Sequence, residues 1–555
     1  MKIVVADDMP AAALEPLTGQ GWTITTTAGR PREELIAALA DADALIVRSA
    51  TKVTAGLLDA APRLRIVARA GTGVDTIDVP AATARGVLVV NAPGANSVSV
   101  AELAMAMMLS LARHTPAADR AMKDGRWEKK AFAGIELRGK TLGLVGFGRI
   151  GQEVARRAQA FEMRIVAHDP FLSQDVAEEA GVELVTLDEL CRKADWISLH
   201  LPSTPATRHL FDRARIESCR KGVRIINTAR GELIDPEALA DLIESGHVAG
   251  AGIDVYETEP PTDFRLPRLP QVVAAPHLGA STMEGQQAAA IDTVAAVEAF
   301  LSRGDVLNAV NLASPSKAAA AMLQPYLVVA ERLGKLAGQL ATGRIDAVGV
   351  RTYGEVADSP HPIVATSALA GLLSSILSEG VSVVNARQLA AARRIEVAET
   401  VSARPRRFVG LISLQVHLSH TSKGAQGAER GVGAPRATEP GGVQGSPPIL
   451  HLEGVVAHGR EPRLVLVDGI EVDAPLEGTV LVVCNDDRPG VVGGVGTVLG
   501  EHGINIASLS LGRKDGVAVA VAALDRDAAL ADRDALERAL RAVPSIKAVW
   551  IAELS

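Results

Sequence analysis

The sequence predicts an α/β chain of several units, and three observations carry that prediction. Strand-length apolar runs alternate with helix-length stretches through the first half of the chain, the pattern of parallel sheets joined by crossover helices. Apolar residues make up 48% of the composition but aromatics only 3%, so the cores must be built from Ala, Val, Leu and Ile, as in parallel α/β layers. A length of 555 residues is enough for roughly three or four domains, each with its own core.

From Met1 to Ser97 the expected strands are Lys2 to Ala6, Ala44 to Val47, Arg65 to Ala68 and Val87 to Val90, with helices at Arg32 to Ala40 and Ala55 to Ala61. Their C-terminal ends carry Arg48-Ser49, Arg69-Ala70-Gly71-Thr72 and the Asn91 to Ser97 loop, and open α/β sheets bind ligands along that edge. Ser97 to Ala112 has apolar residues at helical spacing and leads into a second unit.

That second unit is built around Leu142 to Asp169. The apolar run Thr141 to Val145 reads as a buried strand, followed by Gly146, Gly148 and Gly151 in GxGxxG spacing, a helical stretch and a second apolar run ending at Asp169. The three glycines act differently. Gly146 makes the tight turn, Gly148 lets backbone approach a diphosphate, and Gly151 lets helix and strand pack closely. The helix N-terminus supplies free N–H groups and the positive end of its dipole. Asp169 at the strand tip suits ribose hydroxyls and would repel a 2′-phosphate, so the expected cofactor is NAD. Gly71-Thr72-Gly73 is a decoy, because neither a third glycine nor a long helix follows it.

Further strands are expected at Trp196 to His200, Val223 to Asn227, Ala249 to Val255 and Val272 to Ala275. A helix from Ser281 to about Leu301 would return the chain to the first domain. The cofactor unit is then an insertion, and the crevice between the two is the expected active site. Arg303 to about Ala403 reads as mixed α/β with an apolar helix near Ala365 to Leu377. From Ser402 to Pro448 the text turns irregular, and its Gly/Pro-rich part from His420 has no apolar period. Strand signals resume at Ile449. The tail has strand Thr479 to Asn485, a turn at Asp487 to Gly490, a helix to about His502 and strands Asn505 to Leu511 and Val517 to Leu524. A helix Ala528 to Ala542 and a strand Ile546 to Ala552 complete a βαββαβ, ferredoxin-like order.

A net charge of −8 without a basic block argues against nucleic acid as a partner, and an acidic protein binding a phosphorylated substrate needs a local basic pocket. Cys191, Cys219 and Cys484 are odd in number and far apart, so neither disulfides nor a metal centre is expected. No stretch reaches the ~20 apolar residues a bilayer needs, and Met1 runs directly into a strand pattern, so the expectation is a cytoplasmic protein.

Oxidising a secondary alcohol with NAD requires a base for the hydroxyl proton, a cation for a substrate carboxylate and a group that tunes the base. Three segments at successive strand ends offer them. Asn227-Thr228-Ala229-Arg230-Gly231 supplies Arg230, whose planar fork grips a carboxylate through two hydrogen bonds; Asp254 to Pro260 supplies acids; and Pro276-His277-Leu278-Gly279 supplies a histidine. His277 is the expected base, Glu259 the partner that favours its imidazolium and holds one tautomer, and Asp254 is expected on the nicotinamide side. His168 and His200 are expected to bond locally, while His114 and His209 lack an acid at a matching strand end.

These motifs, together with Val47 to Val53, Arg69 to Asp75, Trp127 to Lys130 and His277 to Thr282, resemble the D-isomer-specific 2-hydroxyacid dehydrogenases, in particular their long-form, phosphoglycerate-oxidising branch. The resemblance implies an α/β fold in which a Rossmann-like NAD-binding domain (98–281) is inserted in a flavodoxin-like substrate domain (1–97 and 282–312). An intervening α/β domain (313–475) and a ferredoxin-like ACT regulatory domain (478–555) follow. It implies Arg230, Glu259 and His277 as catalytic residues. For NAD it implies Thr72, Gly146, Gly148, Arg149, Ile150, Gly151, Asp169, Leu201, Thr228, Ala229, Asp254, Gly279 and Ala280. Arg48, Ser49, Arg69 and Asn96 would hold 3-phospho-D-glycerate, whose oxidation to 3-phosphooxypyruvate feeds L-serine synthesis. An L-serine effector would sit at Asp487 and Asn505 between paired ACT modules of a homotetramer. The Ser402 to Pro448 block looks unlike the family. A glyoxylate or hydroxypyruvate reductase would lack the ACT module, and a non-catalytic NAD sensor of the corepressor type would share the Arg/Glu/His set.

Overall fold

The structure is a computed structural model that describes all residues except 314–316, 359–360, 379, 403, 405–406, 420–448, 526–532 and 555. Its first sheet is parallel, in the order Thr23–Thr26, Lys2–Val5, Ala44–Val47, Ile66–Arg69, Leu88–Val90. This is the flavodoxin-like 2-1-3-4-5 order. Strand alternation divides the apolar residues between two faces. Ile3, Val5, Ile46, Ile66, Ala68 and Val90 share a cluster with Val294, Val297 and Leu301 of helix Met283–Arg303, which packs against strand Ile66–Arg69. Val4, Leu45, Val67 and Val89 cluster instead with Leu39 and Leu57 of the outer helices. The edge strand Thr23–Thr26 was not expected: its TITT pairs on one side only, with Lys2–Val5, and carries no buried apolar run.

The inserted unit has seven strands in the order Val272–Ala274, Val248–Ile253, Val223–Asn227, Trp196–Leu199, Thr141–Val145, Arg164–His168, Glu183–Leu184. The order reverses between Thr141–Val145 and Trp196–Leu199, and α/β sheets place ligands at that switch point. The chain enters through helix Ser97–Arg113 and leaves at the start of Met283–Arg303. A 2.6 Å hydrogen bond between the Ser99 and Thr282 hydroxyls ties the two crossings together.

A six-stranded mixed sheet follows, in the order Glu396–Ser402, Arg344–Gly354, Gly410–Ser419, Ile449–Ala457, Glu461–Val467, Ile470–Pro475. Helices Lys317–Leu340 and Pro362–Ser374 pack on each other beside it. Gly410–Ser419 corrects the expectation of irregular text from Ser402. Leu411, Ile412, Leu414 and Val416 are buried, and the strand pairs with Arg344–Gly354 and Ile449–Ala457. The expected disordered stretch from His420 to Pro448 lies outside the described residues.

The last sheet has the order Ile506–Lys514, Val517–Leu524, Thr479–Asp486, Ile546–Glu553, the ferredoxin-like arrangement. One face packs on its own helices, Val491–Glu501 and Arg533–Arg541, through Leu499, Leu536 and Leu540. The other joins the cluster that begins at Ile3, and the Gln339 amide bridges both backbone groups of Glu553 at 2.9 and 3.0 Å. Among the described residues no helix is long and apolar enough to cross a membrane, and no group of acids, histidines or cysteines could hold a metal.

Candidate active site

The glycine loop closes strand Thr141–Val145 and opens helix Arg149–Ala160. Gly146 has φ +92°, and a Cβ there would lie 2.4 Å from the His200 carbonyl oxygen. A Cβ on Gly151 would lie 2.5 Å from the Gly146 carbonyl oxygen, whereas one on Gly148 would meet nothing within 4 Å. The tight turn and the close packing are therefore occupied by protein, and the space over Gly148 is open for a diphosphate. Ile150 lies in the first helical turn, Leu201 follows strand Trp196–Leu199, and Thr228 and Ala229 follow Val223–Asn227, all at the same sheet edge. The Thr228 hydroxyl is buried without a partner, the kind of donor that a bound cofactor would satisfy. These features fit a dinucleotide.

Asp169 stands at the tip of its strand, with Oδ2 accepting from Phe147 N and Oδ1 from Phe171 N, both at 2.9 Å. Thr72 donates to Asn96 Oδ1 at 2.8 Å, so those two expected ligands of different molecules support one another. Arg149 reaches across the cleft to donate to the Pro93 carbonyl oxygen. Gly279 is buried and Ala280 exposed in the loop that follows His277.

The structure brings His277 and Glu259 together: Nδ1 and Oε2 are 2.6 Å apart, while Glu259 Oε1 accepts from Tyr256 N at 3.1 Å. With Nδ1 engaged, Nε2 is the nitrogen left for a substrate hydroxyl. His277 adopts φ +55°, and Asp254 holds the backbone in that left-handed turn. Its backbone carbonyl accepts from His277 N at 2.8 Å, Oδ1 accepts from Leu278 N at 2.7 Å and Oδ2 from Gly279 N at 2.8 Å. Asp254 is 0% exposed and lies beneath the His277 loop as a brace.

Arg230 comes from the cofactor lobe, donating to the Ala229 carbonyl at 2.6 Å and pairing with Asp75 of the substrate lobe at 3.0 Å. Beside it, Arg69 is half-buried with its Nε enclosed and unpartnered. Burial, and after it repulsion from Arg230 and Arg48, pushes its pKa down from the usual arginine range, against the pull of Asp75 and Asp7. Arg230, Arg48, Asp75 and Asp7 therefore all lie within electrostatic reach of Arg69. Arg48 donates to the Asp8 carbonyl at 3.0 Å, and neighbouring Ser49 is exposed.

His168 bonds to the Val185 carbonyl oxygen at 3.1 Å and His200 to the Ser198 hydroxyl at 2.8 Å, as expected. Burial pushes the His200 pKa to about 3, and its Nδ1 has no partner. His209 corrects the sequence reading. It does have an acid, Glu257, with Arg208 on the same carboxylate at 3.4 Å. That pair joins the turn before Phe211 to the Asp254 to Pro260 segment, and only the fold shows that the two meet.

Asp487 and Asn505 are not brought together within one chain. The first follows Thr479–Asp486, while the second precedes Ile506, which shares its end of the sheet with Thr479 through Leu524. A strand length of about 25 Å separates them. Asp487 pairs with Arg513 at 3.5 Å, and Asn505 donates to Asp525 at 2.8 Å.

Fold and site together define a nicotinamide-dependent 2-hydroxyacid dehydrogenase. Residues 105–279 match the profile of the D-isomer specific 2-hydroxyacid dehydrogenase NAD binding domain, and 479–544 that of the ACT domain. Residues 322–439 match the D-3-phosphoglycerate dehydrogenase intervening domain, so likeness to the family does not stop at Ser402 as the sequence suggested. The chain is 39% identical to D-3-phosphoglycerate dehydrogenase of Methanocaldococcus jannaschii over 100% of both chains, and 41% identical to that of Mycobacterium tuberculosis H37Rv over 92% of this chain and 91% of the other. Among solved structures, NAD-dependent formate dehydrogenase from Staphylococcus aureus in complex with NAD superposes with a TM-score of 0.51 at 30% identity, covering 57% of this chain and 100% of that one. The chain belongs to the D-3-phosphoglycerate dehydrogenase family.

Proposed function

We propose that the chain oxidises 3-phospho-D-glycerate to 3-phosphooxypyruvate with NAD, feeding L-serine synthesis. The observation that carries this reading is the 2.6 Å His277–Glu259 pair at the edge of the cleft bordered by the glycine loop and Arg230. Arg230 binds the substrate carboxylate through its planar fork, and Arg69, Arg48, Ser49 and Asn96 hold the phosphate end. Nε2 of His277 takes the hydroxyl proton, and Glu259 stabilises the resulting imidazolium while fixing the ring's tautomer. NAD, when bound, supplies the hydride acceptor. Gly146, Gly148, Arg149, Ile150, Gly151, Thr72, Asp169, Leu201, Thr228, Ala229, Gly279 and Ala280 line its seat, and Asp254 contributes by bracing the His277 loop.

The ACT module binds L-serine between Asp487 of one chain and Asn505 of another, within a cytoplasmic homotetramer. The separation of those residues along one sheet supports a seat shared by two chains. NADH production with 3-phospho-D-glycerate, measured beside D-glycerate and D-lactate, tests the reading. Preference for the phosphorylated acid is expected, and NAD binding with no turnover of any of the three would overturn it.

A further inference from the structure

Three arginines and two acids share the substrate side of the cleft, and the acids are used differently. Asp7 is committed to the fold: Oδ1 accepts from the Thr51 hydroxyl at 2.6 Å, and Oδ2 from Arg48 N at 2.5 Å and Thr51 N at 3.3 Å. Asp75 has no such framework. Its side chain is 68% exposed, and its carboxylate meets Arg230 at 3.0 Å from the opposite lobe. The contact passes over Gly73, where a Cβ would lie 2.2 Å from Arg230 Nη2 and 2.8 Å from Asp75 Oδ2. With Nη2 on Asp75 and Nη1 on the Ala229 carbonyl oxygen, Arg230 must release Asp75 before it can turn Nη2 undivided to a second carboxylate. Meanwhile Arg69 keeps its buried Nε unpartnered beside the pair, so the pocket retains donors for an incoming anion.

We propose that Asp75 is a displaceable stand-in for the substrate carboxylate: it holds Nη2 of Arg230 across the cleft and yields it when substrate enters. The inference rests on the reading of Arg230 as the carboxylate anchor. Asp75 is thus a positioning residue that sets how tightly any carboxylate substrate binds. Displacing it from Arg230 opposes every 2-hydroxyacid that uses Arg230, whatever the other end of that acid carries. Its removal must therefore tighten the binding of every such acid, and of the phosphorylated one at least as much, because Asp75 also acts on Arg69.

The test is Asp75→Asn, which keeps the shape and removes the charge at an exposed position. KM is expected to fall about three- to fivefold for D-glycerate and D-lactate, the scale of an exposed ion pair, and at least as much for 3-phospho-D-glycerate. kcat should stay within about twofold, and Asp75→Glu should restore the original KM. KM unchanged or raised, or a fall confined to the phosphorylated acid, overturns the proposal, the last because it would place Asp75 against the phosphate. The calorimetric Kd of each of the three acids for both proteins needs no turnover. If the wild-type chain turns nothing over, the dehydrogenase reading falls, while a lowered Kd for all three acids, or its absence, still decides for or against the stand-in.

Discussion

The cofactor lobe and the remainder of the molecule are held together in different ways. In the lobe, the two faces of the seven-stranded sheet form separate clusters, one around Val145, Ile197 and Leu239 and the other around Leu144, Val154 and Trp196. Outside it, one cluster spans three sheets, from Ile3 and Ile66 through Val297 and Leu369 to Val480 and Ala552, with smaller ones on the outer faces of the first and last sheets. Elements that share apolar contacts open together, and elements that do not can move apart. Three domains therefore make one frame, and the lobe that carries His277, Glu259 and Arg230 is the part able to turn against it. The difference teaches where chemistry and control reside. The groups proposed to react sit on the lobe, while the ACT sheet is joined to the first sheet through the frame.

The largest effect should come from His277→Ala. kcat/KM is expected to fall about 10²- to 10⁴-fold, with unfolding of the frame unchanged by hydrogen exchange; equal loosening of both regions would break the contrast. Next, a cavity cut at Leu369 by L369A should cost about 2–5 kcal/mol, and L144A a similar amount in the lobe. Exchange should rise in Val480–Val482 and Ile66–Ala68 for the first and in Ile165–Ala167 for the second, without crossover. A third effect is acid sensitivity of the lobe. His200 stays neutral when folded down to about pH 3 but takes a proton near 6.5 when unfolded, so its contribution is complete above 6.5 and is lost as pH falls towards 3. The added slope, up to about 1.4 kcal/mol per pH unit, should appear in urea titrations between pH 6.5 and 4.5 and flatten in His200→Gln. The smallest is His209→Ala: its contact with Glu257 is partly exposed, so stability should change by less than about 1 kcal/mol and KM by less than about threefold in steady-state assays.

Much of this arrangement was legible in the sequence because local chemistry dictates it. The glycine spacing, the apolar runs that became parallel strands and the residues at their ends all follow from turn geometry and burial. Thr23–Thr26 escaped because a polar strand at a sheet edge carries no apolar signature. Gly410–Ser419 was obscured by the basic and Gly/Pro-rich text on either side, although its GLISLQVHLS is strongly apolar. What a side chain already holds was invisible: Asp254 under its loop, Asp75 on Nη2 of Arg230, and Glu257 facing His209 are contacts between distant segments. Asp75 does close the Arg69 to Asp75 motif, two residues beyond Gly73. An acid so near a small-residue turn at a strand end was the signal available for it.

The insertion also constrains how the polypeptide can be made. One face of the first sheet, with Ile3, Ile46 and Ile66, is covered by helix Met283–Arg303, which leaves the ribosome only after everything from Ser97 to Thr282. At about 5–20 residues per second, that apolar face waits roughly 10–40 s for its cover. The amino-terminal sheet is thus a segment of the nascent chain that gains from a chaperone during synthesis.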